Sequence, residues 1–309
     1  MPSAPPPQFL SIGGFRVALE LYPSLVEKVY TSKLKDPKKV ADALQRDKWR
    51  FEELPANVAH MIGSRQKDVK HEKASSNVKD GGLTKNAVER LVQWKITHGH
   101  SRPFLPAMVR KNDPLAVQTQ TAAAFTKLSF SDSPEPPSTS TVVASLNAAC
   151  KLTGIGPATG TLILNIFDPA HIPFFQDEMY AWFLPDTKSD KLKYTQKEYL
   201  QLLEAVRPVL KRLAVNAVDL EKVSYVFGHM DQLDEEERKR LEESVATADE
   251  QEAETDLPQQ EAIVKAGDPE KKGTKENVAV KKGQKRAPET EAKEDGVQQI
   301  SGRRTRQKK

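Results

Sequence analysis

Between Glu20 and Met230 the apolar residues recur at helical spacing, separated by Pro-, Gly- and Ser-rich breaks. Val26, Val29 and Tyr30 share one helical face, and Val40, Ala43 and Leu44 share another behind an Asp36-Pro37 start, where Asp caps and Pro fits the first turn. Thr84 opens a helix whose stripe is Val88, Leu91, Val92 and Lys95, with the lysine stem packed along the stripe edge and its charge in water. Val143, Leu146 and Cys150 mark a further helix. Thr195 to Glu198 is a capping box ahead of Tyr199, Leu202, Leu203, Val206 and Leu210, with Pro208 expected to kink or split that helix. Leu220, Val223 and Phe227 face inward on one more. Residues 65–82 and 129–141 read as polar loops. No alternating, β-rich region rises above the helical pattern, so the expected fold class is all-α.

Composition sets the domain limits. The 309 residues are only 38% hydrophobic, which predicts a substantial part that does not pack. The expected organisation is a flexible N-terminus over 1–19, a helical domain over 20–230, and an acidic then basic disordered tail over 231–309. Of the 47 Lys and Arg and 43 Asp and Glu, 17 and 20 fall after residue 230, leaving 30 and 23 before it. The part expected to fold is therefore the basic part, which permits a polyanionic partner. Two basic clusters in the tail, Lys281, Lys282, Lys285 and Arg286, then Arg303, Arg304, Arg306, Lys308 and Lys309, have the composition of a nuclear import signal. They imply an import receptor as partner and the nucleus as location; a solubilising tail is the alternative. The single cysteine, Cys150, rules out an internal disulfide or a four-cysteine cluster, fits a reducing compartment, and reads as core. No apolar run reaches the ~20 residues of a membrane span. No metal or cofactor is expected, and the oligomeric state is left open.

Residues 146–167 carry the chemistry. The stretch Lys151-Leu-Thr-Gly-Ile-Gly-Pro-Ala-Thr-Gly-Thr161 reads as helix, tight turn, helix. Gly154 and Gly156 allow torsions closed to other residues, Ile155 plugs the space between the helices, and Pro157 suits a first helical turn. A helix N-terminus with uncovered backbone presents free N–H groups and partial positive charge, a cradle for one phosphate. Leu152, Gly154, Ile155, Gly156, Ala158 and Thr159 are the candidate DNA contacts. A phosphate contact is blind to base sequence, so it positions duplex DNA without reading it.

The run Leu-x-Gly-Ile-Gly-Pro-Ala-Thr resembles the helix-hairpin-helix of the endonuclease-III-like DNA glycosylases, and the resemblance extends to Ile172-Pro-Phe-Phe-Gln-Asp177. Leu83-Thr84, Trp94-Lys95, Arg102-Pro103 and Val223-Ser-Tyr-Val226 also resemble a little-characterised eukaryotic family with a glycosylase-like core. The resemblance implies a glycosylase-like helical fold and gives Asp177 the place of an essential carboxylate that activates water or stabilises a cationic sugar in base excision. The departures are specific. Pro157-Ala158 stands where lyase-type members have a lysine, which excludes a Schiff base there. Asp177 falls about one residue late, and Glu178-Met179 replaces the usual Thr-His. Apart from the resemblance, Asp177 reads as an N-cap and Glu178 as a first-turn acid. His98 and His100 flank Gly99 in what reads as an exposed turn, and His171 as a loop residue. Phe174, Phe175 and Trp94 read as core. Three functions remain open: a non-catalytic or degenerate DNA-binding glycosylase-like protein, which ranks first; a monofunctional glycosylase using Asp177; and a protein-interaction scaffold that keeps the hairpin as a structural corner. Lys151 is the one basic residue in the hairpin, which keeps the scaffold reading alive.

Overall fold

The central element of the fold is a helix with no polar face. Helix α8, Pro157–Phe167, buries every residue from Ala158 to Ile166. A helix that is apolar all round must be packed on all sides, and two hydrophobic clusters meet on this one. Ala158 and Leu164 join the first, Leu162, Ile163 and Ile166 the second.

In this computed structural model residues 4–66, 78–79, 81–129, 135–185 and 192–254 are described, and they are mostly helical. The order is α1 Ile12–Leu34, α2 Pro37–Lys48, α3 Leu54–Gln66, α4 Lys85–His98, α5 Leu105–Val109, α6 Pro114–Ser129, α7 Thr139–Ala149, α8, α9 Asp177–Phe183, α10 Gln196–Leu213, α11 Ala217–Gly228 and α12 Glu235–Glu254. Val78–Lys79 and Gly82–Leu83 form a two-residue antiparallel pair, Val78 opposite Leu83, at the end of the stretch read from sequence as loop. The caps expected from sequence hold: Asp36 accepts from Lys38 N–H, Thr84 from Ala87 N–H, and Thr195 and Glu198 form a reciprocal box. Helix α10 runs unbroken through Pro208 rather than splitting.

Two expected boundaries move. The N-terminal stretch is not loose: Ser11 caps α1, and Leu10, Phe15 and Ala18 are buried before Glu20 is reached. Trp182 Nε1 donates to Pro5 O at 2.7 Å, and Arg212 donates to Pro7 O and Leu10 O at 3.1 and 2.8 Å. Nor does packing stop at Met230. Leu233 and Leu241 are buried in the first cluster, and Lys28 on α1 pairs with Asp234 at 3.0 Å and Glu237 at 2.5 Å. An acidic helix needs few apolar residues when it covers a helix that already carries a broad apolar face.

A π-helical turn at Trp49–Glu53 links α2 to α3, and it buries two consecutive side chains, Trp49 and Arg50. The Arg50 guanidinium, wholly out of solvent, bonds Glu221 at 2.8 Å and Asn165 at 2.7 Å and lies over the rings of Phe51 and Trp94. Burial pushes the Glu221 carboxyl up, to about 7, against the pull of Arg50. Asn165 also donates to Ile172 O at 2.7 Å, so α8 grips the link that leads to α9.

Candidate functional site

The hairpin is α7, the link 150–156 and α8. Gly154 takes the left-handed conformation, φ +78°, and a Cβ there would lie 2.9 Å from Met108 Cβ. Close approach and torsion both require glycine at this position. Asn112 clamps the turn from outside: its amide nitrogen donates to Thr153 O and its oxygen accepts from Thr153 N–H, both at 2.8 Å. Ile155 N–H donates to Leu152 O, and both side chains are buried as hairpin plugs, not as contacts for a ligand.

Gly156 differs from its sequence expectation. Its φ of −93° is open to any residue, and nothing lies within 4 Å of where its Cβ would be. The uncovered space is therefore outside the hairpin. Gly156 is the N-cap of α8 and supplies no side chain; Pro157 has no N–H, and the N–H groups of Thr159 and Gly160 both bond back to Gly156 O. The amides left free of hydrogen bonds at this terminus, among the described residues, are those of Gly156 and Ala158. The cradle is smaller than the sequence implied. The Ala158 and Thr159 side chains are themselves buried.

A groove of about 540 Å³ runs past that terminus, with Gly154, Gly156, Pro157, Ala158 and Thr159 among its lining residues. Lys95, Arg102 and Lys193 line it too, together with Pro103, Phe104 and Met108, and no carboxylate does. Phe104 is 81% exposed at this groove. These cations come from α4 and from two loops, so the charge missing from the hairpin's own sequence is supplied by chain folding.

Beside the groove lies a slot of about 20 Å³, room for one water molecule. Lys95, Arg102 and Tyr194 line both spaces. Asp177 lies in the slot. It is the first residue of α9, while the N-cap is Gln176, which makes no side-chain cap bond. The capping role read for Asp177 is thus overturned: the residue starts one position inside the helix, and its carboxylate is turned to the imidazole of His100. Thr161 Oγ1, accepting from Phe175 N–H at 3.1 Å, fixes the preceding link. Tyr194 is held at φ +55°, rare for a side chain this large. Burial, then hydrogen bonding to Asp177, raise its hydroxyl to about 12. Burial lowers the amine of Lys95 from its ordinary value, and Arg102 adds to the shift while Asp177 opposes it.

His98 is not in an exposed turn. Its ring is buried, stacked 3.9 Å from Tyr225 and 4.6 Å from Trp94, with Nδ1 bonded to Tyr30 Oη at 3.0 Å. Burial, helped by neighbouring His229, Lys33 and Arg50, pushes its imidazole far down, so it is neutral. Trp94 and Tyr22 both donate to Asp47, whose carboxyl burial pushes up. Lys33 caps the end of α4 by donating to the carbonyls of Thr97, His98 and Gly99, and so presents His100 to Asp177. Glu178 is also more than a first-turn acid: its side chain is 14% exposed, desolvation pushes its carboxyl up, and its Oε1 lies 3.9 Å from His229 Nε2. Gln176, 3% exposed, has both amide atoms unpartnered, as are Glu178 Oε2 and His98 Nε2. All three residues line the slot.

His171 bonds Asp168 at 3.0 Å, away from the slot, and Phe174 and Phe175 are core. Burial raises the Cys150 thiol to about 11. No cluster of three potential metal ligands occurs among the described residues. Among them no helix is long and apolar enough to cross a membrane. The basic clusters at Lys281–Arg286 and Arg303–Lys309 lie outside the described residues.

The described chain is a mostly helical, all-α protein with a hairpin-lined groove. No protein-family model, no curated protein and no solved structure matches it.

Proposed function

We propose that the protein binds duplex DNA without sequence preference, seating a backbone phosphate at the N-terminus of α8, in a helical core of the glycosylase-like helix-hairpin-helix kind. The observation that carries the reading is the groove itself, where two unbonded amides at a helix N-terminus share a wall-to-wall space with three cations and no acid. Phosphate at this site gains both the helix terminus and the side-chain charge. The exposed Phe104 and Met108 supply an apolar rim against sugar and base.

The test is binding of the full chain to a duplex oligonucleotide over a range of salt. Affinity should fall steeply with salt, and Arg102→Gln should weaken binding equally across sequences and flatten the salt slope by about 1. A folded protein that does not bind at low salt, or an Arg102→Gln protein with an unchanged slope, removes the reading and leaves the scaffold. The location that goes with it is the nucleus, reached through an import receptor reading the clusters at 281–286 and 303–309. Deleting 281–309 should abolish nuclear accumulation of the imaged protein.

A second reading, excision of a base by Asp177, is favoured by one observation: this carboxylate is not consumed in capping and lies in a slot that shares three lining residues with the groove. Release of a damaged base by the wild type, abolished by Asp177→Asn at unchanged Tm, is the expected result if that reading holds.

A further inference from the structure

Away from the hairpin, the polar faces of two helices meet across a hollow of about 480 Å³, within the size range of small-molecule sites. Helix α2 lines it with Asp42, Gln45 and Arg46, on the side opposite the buried Val40 and Ala43. Helix α4 adds Asn86, Glu89, Arg90 and Gln93 at the same helical spacing, and Pro106 and Arg110 close the third side from α5 and the residue after it. Three arginines from three segments thus share one space. Among the described residues none of them makes a side-chain hydrogen bond or an ion pair within 4 Å, although two carboxylates line the same hollow. Asp42 stands one turn before Arg46, a spacing that suits an ion pair, and the pair is not made. Glu89 has Lys85 at 3.9 Å instead. Arg90 lies over the ring of Trp49, 4.3 Å from its centre, which holds the guanidinium without neutralising it. Partial burial lowers the Arg90 guanidinium from its ordinary value; Glu53 opposes the shift, and Arg46, a like charge, adds to it. Arginines spent on this fold are placed differently: Arg50, Arg207 and Arg212 each donate to a carboxylate or a carbonyl.

Unpaired guanidiniums around one hollow are a receptor for an oxyanion with several exposed oxygens, since each planar fork can donate two parallel bonds. The remaining lining groups narrow the class. Gln45, Asn86 and Gln93 bring side-chain amides, and Asp42 and Glu89 bring carboxylates, which accept from hydroxyls. We propose that this hollow binds a small phosphate ester of a polyhydroxylated compound, a sugar phosphate, with the phosphate on Arg46, Arg90 and Arg110 and the hydroxyls on the amides and the two acids. A DNA backbone, the other source of phosphate, is disfavoured here. Each strand carries a charge every ~3.4 Å along the helix axis, so the next phosphates would be brought onto Asp42 and Glu89. The hairpin groove has no carboxylate, whereas the hollow has two, which a small ester can use and a polyanion cannot. Helix α5 separates the two spaces, with Leu105 and Met108 on the groove and Pro106 on the hollow. The site therefore stands independently of the DNA-binding reading.

The experiment is calorimetric titration of the full chain with ribose 5-phosphate and glucose 6-phosphate, against ribose and inorganic phosphate alone and against a duplex oligonucleotide. The expected result is saturable binding of at least one ester, about tenfold or more tighter than inorganic phosphate, with free ribose silent. Arg46→Gln and Arg110→Gln should each weaken ester binding by about tenfold or more while Tm stays near wild type. Arg102→Gln, in the hairpin groove, should leave ester binding unchanged. The proposal is overturned if neither ester binds, if inorganic phosphate binds as tightly as the esters, or if Arg46→Gln and Arg110→Gln bind the esters as the wild type does. Duplex binding that weakens in those two variants, with no ester bound by the wild type, also overturns it and assigns the arginines to the DNA backbone.

Discussion

Asp177 begins α9 without capping it, so a substitution there separates chemistry from stability. Asp177→Asn and Asp177→Ala should each change unfolding free energy by about 1 kcal/mol, since a helix-dipole contribution, a partly exposed pair with His100 and the bond from the Tyr194 hydroxyl are lost. Chemical denaturation of both variants checks this; a loss near 2 kcal/mol in the alanine variant alone would restore the cap. The two hairpin glycines should part in the same way. Gly154→Ala forces a side chain into φ +78° and onto Met108 and should cost at least ~1–2 kcal/mol. Gly156→Val meets nothing in the fold, so its Tm should stay near wild type, while the new side chain fills the approach to the α8 terminus and DNA affinity falls. Equal thermal losses in the two variants would contradict this geometry.

At the scale of elements, α1 and α12 are where sequence and structure diverge most. Gly13, Gly14 and Pro23 look like helix breakers, yet α1 runs through all three because Leu10, Phe15, Ala18, Leu21, Tyr22 and Leu25 form one buried face. Helix α12 shows only Leu241 and Val245 as large apolar residues among acids and cations, with Leu233 just ahead of it, too sparse a pattern to read without knowing that α1 waits to be covered. The hairpin was legible because its turn depends on local residues, Gly154 and Pro157. Its groove was not, because Lys95, Arg102 and Tyr194 meet only in the folded chain. His98 was misplaced for a related reason: the sequence after it reads as a turn, and nothing local reveals Tyr30 and Tyr225 on either side. The α12 packing makes a direct prediction. Leu241→Ala should cost roughly 2–5 kcal/mol, as expected for a fully buried leucine. Truncation after residue 230 should lower Tm markedly, whereas truncation after 254 should not; equal melting of the two shortened chains would show that α12 contributes nothing.

The molecule as a whole carries a buried titratable layer around Asp47, His98 and Glu221, and its stability should respond to pH accordingly. The His98 imidazole is held well below its unfolded value near 6.5, so the unfolded chain binds the extra proton first. Its contribution is present in full above about pH 6.5 and is lost as pH falls from there towards the lower folded value. Asp47 and Glu221 act in the opposite sense: their raised folded values favour the native state at low pH and withdraw that support as pH rises, for Glu221 between its unfolded range and about 7. Urea midpoints measured from pH 7.5 to pH 5 should therefore fall less in His98→Gln than in wild type. Parallel curves would mean that His98 is not buried in its neutral form.

The first helix is completed by the last ones. Helix α1 lies against α11 and α12, the stretch before it is tied to Trp182 and Arg212, and Arg50 finds its counter-charge only at Glu221. On a ribosome, then, α1 emerges with much of its apolar face uncovered until α11 and α12 have been synthesised. Chain closure of this span makes folding late and cooperative rather than progressive. Nascent chains released before residue 217 should be protease-sensitive throughout, with protection arriving in one step once α11 and α12 have left the exit tunnel, and until then α1 is a segment for a chaperone to hold.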